Sequence, residues 1–431
     1  MKIAVIGTGY VGLVTGTCLA DSGQIVYGVD IDENKIQKLK QGIIPIFEPS
    51  LANIVKHNIS AKRLFFTTSL EGIINEVNVI IIAVGTPAAP DGRADLQYVY
   101  NVAETIGKNI KGYKVIVNKS TVPVGTGKAV EKIIKKYYNG EFDMVSCPEF
   151  LREGSAVKDF SEPDRIIFGT RTKKAADIML DVFKNIQGQK VITSIESAEL
   201  IKYASNAFLA TKISFINEIS QICEKTGGHI DEVAYGVGLD KRIGAKFLKA
   251  GIGWGGSCFP KDVKALNQIA GSHGYDFKLL KAVIEVNQYQ RVHYVEKVKK
   301  YFKNSLKGKK LCVLGLAFKD NTDDIRDSAA IDIINLLLKE GAIIKAFDYQ
   351  ATKNAMHIFK DRVVYLDSPE KAIANSEAVL LVTEWPQFKE LDWFNLKKQL
   401  INPVIFDGRN LLPDKKMIEL GYQYFAMGKN I

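Results

Sequence analysis

A short apolar strand that runs into Gly-x-Gly-x-x-Gly, continues as a helix and is followed by a second strand closing on an acid leaves few folds open to a chain. Here Lys2 to Ile6 is the apolar run, Gly7-Thr8-Gly9-Tyr10-Val11-Gly12 the glycine turn, and Gln24 to Val29 the second strand, ending at Asp30. The helix between them ends near Asp21-Ser22-Gly23. Each residue type has a physical task. Gly7 permits the tight turn, Gly9 lets a pyrophosphate approach the backbone, and Gly12 lets the helix pack closely on the strand. The helix N-terminus, which includes Tyr10 and Val11, then offers free N–H groups and a positive dipole end to phosphate. Asp30 accepts hydrogen bonds from both ribose hydroxyls and repels a 2′-phosphate, which favours NAD over NADP. Lys35 lies one helical turn further on, at the adenosine side or simply exposed on its helix.

The strand–helix alternation continues. Val77 to Val84 reads as a strand ending at Gly85-Thr86-Pro87, with a turn at Pro90-Asp91-Gly92 and a helix over about Tyr98 to Ile110. Lys114 to Lys119 is the next strand, ending at Ser120-Thr121-Val122-Pro123, and Phe142 to Ser146 the one after, ending at Cys147-Pro148-Glu149. Ligands of open parallel sheets bind beyond the carboxyl ends of strands, so Thr86, Thr121 and Glu149 belong to one rim. Gly125-Thr126-Gly127-Lys128 imitates a phosphate loop but lacks the first glycine and the following hydroxyl residue that the motif needs.

From Ser197 to Thr226 runs a helical pattern without glycine or proline, stopped by Gly227-Gly228. Thirty residues of helix reach about 45 Å. That is long enough to bridge two domains and to pack on a second copy, so a homodimer or higher homo-oligomer is expected. Lys202 and Asn206 are neighbours on it at i and i+4. Further on, Gly251-Ile252-Gly253-Trp254-Gly255-Gly256-Ser257-Cys258-Phe259-Pro260-Lys261-Asp262 puts four glycines close together ahead of a cysteine. Pro260 suits the start of a helix. A thiol just before a helix N-terminus, with Lys261 beside it, is set to ionise more readily than an ordinary cysteine. After Lys310 the pattern restarts with strands at Leu311 to Leu316, Ile343 to Asp348, Ala378 to Thr383 and Val404 to Asp407. This second unit lacks Gly-x-Gly-x-x-Gly. It is either an architectural repeat or a second nucleotide site in which Lys319 and Arg409 meet phosphates.

The fold class that follows is α/β: two Rossmann-like, doubly wound parallel-sheet domains joined by a long central helix. The expected divisions are 1–195 for NAD, 196–300 for assembly and the cysteine loop, and 301–431 for the second nucleotide. The chain's 431 residues and 46 % hydrophobic content suit such an arrangement. A net charge of +10 raises the question of nucleic acid, but the lysines are scattered. The densest stretch, Lys297 to Lys310, reads as a solvated helix end and linker, and no nucleic-acid partner is expected. No apolar run approaches a membrane helix. The N-terminal apolar stretch is too short for a signal peptide, and a cytoplasmic, membrane-free protein is the expectation. Five cysteines and five histidines show no metal-ligand spacing, so no metal is expected.

On these motifs, and on Pro148-Glu149-Phe150-Leu151-Arg152-Glu153-Gly154, Lys202-to-Asn206 and Phe318-Lys319, the chain resembles the UDP-glucose/GDP-mannose dehydrogenase family over nearly its whole length. The resemblance implies a four-electron oxidation of a primary alcohol to a carboxylate by two NAD in turn, with UDP-glucose as the sugar nucleotide. It implies Cys258 as nucleophile, forming a thiohemiacetal and then a thioester. Lys202, Asn206 and Asp262 would handle protons and a developing oxyanion, and Glu149 would be the base for hydrolysis with Thr121 near the same water. Glu153, Lys261 and Arg326 are implied to touch NAD. The sugar nucleotide would be held by Glu149 to Glu153, Lys202, Asn206, the run Phe247-Leu248-Lys249-Ala250-Gly251, Gly255, Phe318, Lys319, Arg409 and Arg242, the last reaching from a partner subunit. Two other readings stay open at this point. One is a sister enzyme for UDP-N-acetylmannosamine or GDP-mannose; the other is an NAD-binding protein without catalysis.

Overall fold

The computed structural model describes residues 1–87, 89 and 93–430. The turn expected at Pro90-Asp91-Gly92 lies outside the described residues. The chain divides into two compact units. The first comprises Met1–Ser205 and Lys264–Gly274, and the second Asn206–Val263 and everything from Tyr275 onward.

In the first unit β1 (Lys2–Ile6), β2 (Ile25–Val29), β3 (Leu64–Thr67), β4 (Val79–Ile82), β5 (Val115–Asn118), β6 (Asp143–Ser146), β7 (Arg165–Thr170) and β8 (Gln189–Thr193) form one sheet. Its order is β3-β2-β1-β4-β5-β6-β7-β8. The inner strands are short and apolar because both faces are covered. Ile3, Val5, Val79 and Ile81 enter the core on one face, and Ala4, Ile6, Ile80 and Ile82 the core on the other. Every pairing is parallel except β6 with β7. The link after β6 holds one short helix, Ala156–Ser161, and β7 returns antiparallel.

The second unit carries β9 (Lys310–Leu314), β10 (Ile343–Phe347), β11 (Val363–Tyr365), β12 (Ala378–Leu381), β13 (Val404–Asp407) and β14 (Gln423–Ala426). All pair in parallel, in the order β11-β10-β9-β12-β13-β14. Again alternate residues feed two cores, Leu311 and Val313 one, Cys312 and Leu314 the other. Two α/β domains built on parallel sheets are thus present, as the sequence implied. The long helix, Ile195–Thr226, begins in the first unit and ends in the second.

The lysine-dense stretch is less solvated than expected. Lys297 is partly buried, and its Nζ donates to Glu224 at 2.6 Å and to the Ala426 carbonyl at 2.8 Å. Lys299 pairs with Glu340 and Lys309 with Glu377, each at 2.8 Å. Acids distant in sequence draw these cations onto the protein surface.

Candidate active site

The glycine turn obeys two different constraints. Gly7 has φ +94°, and a Cβ there would lie 2.7 Å from the Ala83 carbonyl oxygen. At Gly12 a Cβ would fall 1.8 Å from the Gly7 carbonyl oxygen. The fold itself therefore demands both glycines. Around Gly9 nothing lies within 4 Å of a built Cβ. The protein leaves that space open, and it is where a pyrophosphate approaches in this motif. Gly9 is also the N-cap of helix Tyr10–Asp21 and brings no side chain to its amides, which leaves the helix start to an anion. The residues present thus fit NAD.

Asp30 is half-buried at the end of β2. It accepts from Thr8 N at 2.9 Å, Thr8 Oγ1 at 2.6 Å and Asp32 N at 3.1 Å, and pairs with Lys35 Nζ at 2.9 Å. Burial favours its neutral form, but these bonds outweigh it and hold the carboxyl below its ordinary value. Lys35 is therefore not a loose surface lysine; it is the partner of Asp30.

The rim beyond β4, β5 and β6 carries Thr86, Thr121 and Glu149 as expected, all buried. Thr86 Oγ1 donates to the Thr121 carbonyl at 2.9 Å. Glu149 is buried with Lys202, their charged atoms 3.0 Å apart, and also accepts from Leu151 N at 2.6 Å. Burial alone would raise the Glu149 carboxyl. The Lys202 ammonium more than offsets this, and the group is held low, as a carboxylate. Phe150 lies under the Arg165 guanidinium at 3.8 Å and 5.5 Å from Lys202 Nζ. Glu153 is buried. Arg152 turns away to form a forked pair with Asp159, at 3.0 and 2.5 Å.

Two unforeseen residues shape this half. Glu48 is buried; Oε2 accepts from Gly154 N at 2.7 Å and from the Tyr10 hydroxyl, and Oε1 accepts from Ala156 N at 2.8 Å. It ties the loop after Glu149 to the glycine turn. Lys119, buried at the end of β5, donates to the Cys147 carbonyl at 3.3 Å and adds positive charge near Glu149. The signal for Glu48 was a lone acid closing the apolar run Ile43 to Phe47. Lys119 had only its place at a strand's end. The imitation phosphate loop is also explained. Gly125 N and Gly127 N both donate, at 2.7 Å, to Glu199 of the long helix, so the anion on those amides is the protein's own.

In the second unit Cys258 is partly buried, immediately before helix Phe259–Ser272. Its carbonyl accepts from Asp262 N at 2.9 Å, the first helical hydrogen bond. Asp262 is only 1 % exposed. Asn206 Nδ2 reaches one oxygen at 2.6 Å and Lys261 Nζ the other at 2.7 Å. Nucleophile candidate, acid, amide and ammonium are thus brought together around one helix start. The glycines before Cys258 are forced by packing. A Cβ at Gly256, φ +86°, would lie 2.6 Å from the Phe318 ring, and one at Gly255 2.2 Å from the Asp327 carbonyl oxygen.

Arg409 donates to Val382 O at 2.8 Å and Gly253 O at 2.9 Å, with Phe318 O at 3.4 Å. Lys319 Nζ stands 5.6 Å from the Phe318 ring. Lys249 pairs with Glu384 at 2.5 Å, Phe247 adopts φ +66°, Leu248 and Ala250 are buried, and Gly251 abuts the Gly408 carbonyl. Arg326 forks onto Asp324 at 2.9 and 2.6 Å. Arg242 stands apart: it is exposed and hydrogen-bonded to Asp240 at 2.6 Å.

The profile of the UDP-glucose/GDP-mannose dehydrogenase family matches in three parts: its NAD binding domain over residues 1–187, its central domain over 196–289 and its UDP binding domain over 312–414. The UDP-glucose 6-dehydrogenase TuaD of Bacillus subtilis is 53 % identical over 430 residues, 99 % of this chain and 93 % of its own length. A UDP-glucose 6-dehydrogenase of Rhizobium meliloti is 44 % identical, with both chains covered in full. Among solved structures, a UDP-glucose dehydrogenase from Pyrobaculum islandicum superposes with a TM-score of 0.93 at 39 % identity, covering 100 % of this chain and 98 % of that one. The chain belongs to the UDP-glucose/GDP-mannose dehydrogenase family and is an NAD-dependent oxidoreductase.

Proposed function

We propose that the chain oxidises the C6 alcohol of UDP-glucose to the carboxylate of UDP-glucuronate. The observation that carries this reading is the Cys258 helix start, with Asp262 gripped by Asn206 and Lys261. The choice of sugar is supported by full-length relatives named as UDP-glucose 6-dehydrogenases at 42–53 % identity. A UDP-N-acetyl-mannosamine dehydrogenase from Staphylococcus aureus stands at 27 %. Residues 1–195 hold NAD, 196–300 carry assembly and the cysteine loop, and 301–431 hold the UDP-sugar.

NAD, when bound, accepts a hydride in each of the two oxidations. The rest is done by the chain. An aldehyde lacks the oxyanion that drives hydride departure, so Cys258 Sγ adds to the carbonyl carbon and makes a thiohemiacetal. Its second oxidation gives a thioester, and water cleaves the C–S bond, releasing the acid and restoring the thiol. Lys202 stabilises the oxyanion at each stage. Asp262, with Asn206 and Lys261 on its two oxygens, moves the proton. Glu149, kept ionised by Lys202, is the base for the hydrolytic water, with Thr121 beside it. Glu153, Lys261 and Arg326 face NAD. Phe150 to Arg152, Phe247 to Gly251, Gly255, Phe318, Lys319 and Arg409 hold the UDP-sugar, and Arg242 joins them from a partner subunit.

The protein works as at least a homodimer. Phe208, Phe215 and Ile222 recur every seven residues along the long helix and are 66, 52 and 53 % exposed. That is an apolar stripe of the kind helices pair through. Light scattering at micromolar protein should give at least twice the monomer mass. Among the described residues no helix is long and apolar enough to cross a membrane.

The test of the chemistry is Cys258→Ser, read by NADH stoichiometry and product mass. Wild type should yield two NADH and one acid per sugar. The variant should lose steady-state acid formation by roughly 1,000-fold or more, since an un-ionised hydroxyl is a weak nucleophile, yet still bind NAD. Near-normal acid formation by the variant removes the thioester. One NADH per sugar in the wild type, with aldehyde released, removes the four-electron reaction.

A further inference from the structure

The face of helix Lys278–Tyr301 that points inward should by ordinary patterning be apolar. Between the buried apolar residues Leu280 and Val283 at one end and Tyr294, Val295 and Val298 at the other, it carries Asn287, Gln290 and Arg291, all buried as well. These residues grip one stretch of backbone. Gln290 Nε2 donates to the Gly251 carbonyl at 2.9 Å. Asn287 accepts from Trp254 N at 2.7 Å and donates to Trp254 O at 3.0 Å, a closed two-bond clasp on both backbone groups of one residue. Gly253, φ +92°, stands where a Cβ would lie 2.5 Å from Asn287 Oδ1. Arg291 completes the grip. Its Nη2 donates both to Trp254 O, at 2.9 Å, and to Asp327 O, at 3.2 Å, while Nη1 pairs with Asp332.

Trp254 lies in the loop that leads into Cys258, and Asp327 in the loop that carries Phe318, Lys319 and Arg326. The same two loops touch again where Gly256 N donates to Arg326 O at 3.0 Å. Burying a guanidinium and two amides is costly, the more so as Arg291 Nε has no hydrogen-bond partner, and apolar residues would fill this space without that cost. What the polar set provides is direction: it fixes where two backbone carbonyls stand.

We propose that Arg291, seconded by Asn287, is a positioning residue that holds the nucleophile loop in register with the loop bearing Phe318, Lys319 and Arg326. The inference rests on the reading of Cys258 as nucleophile. Cys258 follows Trp254 by one short glycine stretch, so a slip of the Trp254 peptide carries the thiol off its helix start. A misplacement of about 1 Å is worth about 100-fold in rate.

The experiment uses the full-length protein with UDP-glucose and NAD, and follows Cys258 by its rate of alkylation with iodoacetamide across pH. Arg291→Met keeps the stem and removes both carbonyl bonds. Its kcat should fall by at least about 30-fold while NAD binding, read by fluorescence titration, changes by less than about threefold. Its alkylation profile should move to higher pH, because the thiol loses the helix start. Arg291→Lys should recover part of both. Asp332→Asn, which leaves the carbonyl bonds in place, should stay within about twofold of wild type. Wild-type kcat and alkylation in Arg291→Met, or equal damage from Asp332→Asn, overturns the proposal. If Arg291→Met does not fold, Asn287→Asp decides. It keeps the acceptor for Trp254 N and loses the donor to Trp254 O. It should lower kcat about tenfold with the same shift of profile, and an unchanged variant overturns the proposal. A wild-type enzyme that survives complete alkylation of Cys258 overturns the reading of the nucleophile, an outcome separate from any variant.

Discussion

The two sheets share one topology and differ in what they do with it. In each the first strand lies between the second and the fourth, the order in which dinucleotide folds bind at the switch point. β1 ends at Gly7, φ +94°, and β9 at Gly315, φ +98°. Both glycines donate their N–H, at 2.8 Å, to the last residue of the neighbouring strand, Val29 or Phe347. Both neighbouring strands then close on an aspartate, Asp30 or Asp348. Here the likeness stops. Helix Tyr10–Asp21 starts directly after the turn, uncapped by any side chain. In the second unit residues 316–328 intervene, and the helix Ala329–Lys339 is capped by the Ser328 hydroxyl. Asp348 is buried. Its Oδ2 takes Leu316 N at 2.7 Å, Ala317 N at 3.0 Å and Trp385 Nε1 at 3.1 Å, and its Oδ1 takes Gln350 N and Ala351 N at 2.8 Å. Asp30 also takes an amide of its own turn, Thr8 N, at 2.9 Å, so the acids are used alike; the units differ at the helix start, open after Gly9 and closed by Ser328. Topology repeats a scaffold; what is left unsatisfied on it decides the ligand.

The sharpest way to break this comparison is to treat the two aspartates alike. Asp348→Ala strands several buried donors, each worth about 1–3 kcal/mol. We expect the second unit to lose about 4 kcal/mol, read by hydrogen exchange of β9 to β14, with NAD affinity unchanged. A variant that melts like wild type would show that Asp348 holds nothing. The glycines separate the units next. Gly7→Ala should weaken NAD binding by at least about 100-fold, or about 2.7 kcal/mol. Gly315→Ala should leave NAD affinity alone and destabilise the second unit. Equal loss of NAD affinity in both variants would abolish the distinction.

The long helix treats the units oppositely as well. Burial pushes Glu199, in the first unit, up to about 7 against the pull of two amides. Glu224, in the second, would be raised by burial, but His293 and Lys297 bring it down to about 2. Glu224 therefore stabilises above the unfolded value of about 4.3, and its contribution disappears as pH falls from there towards 2. Glu199 has the reverse sign: its contribution is present below about 4.3 and is lost as pH rises towards 7. Exchange rates in the two units should respond to pH in opposite directions over these windows. Glu224→Gln and Glu199→Gln should each flatten its own limb. Parallel responses would refute the assignment. The smallest effect is at Asp30. Wild type should prefer NAD over NADP by at least about tenfold, roughly 1.4 kcal/mol, and Asp30→Ala should bring the two kcat/KM values together. A wild type indifferent to the 2′-phosphate would remove Asp30 from the cofactor.

What could be read from the chain alone follows a physical line. Gly7, Gly12 and Asp30 were legible because their task is local: one turn, one helix, one strand. The place of Cys258 just before a helix was legible for the same reason, since glycines and a helix-starting Pro260 surround it in sequence. Glu48 was not, because its partners Gly154 and Ala156 stand far along the chain and nothing near Glu48 announces them. Asp348 looked like a strand end, and only the fold shows that Trp385 and four amides occupy it. Asn287 and Arg291 sit at positions that helical periodicity assigns to a core and were silent for that reason. The return of β7 against β6 was illegible too, since an equally short helix, Asp414–Glu419, joins β13 and β14, which pair in parallel. The long helix was read to within two residues of its start.

Gly9 has a consequence for how such a chain fares through generations of copying error. Substitution at Gly7 or Gly12 is punished during folding, so quality control removes it whether or not the enzyme is needed. At Gly9 no protein atom objects to a methyl group. A lineage that ceases to need the reaction can accept that methyl group at once and still make a well-folded, long-lived protein. The first step from enzyme to idle scaffold is here invisible to the cell's proteases, and only demand for the product guards against it.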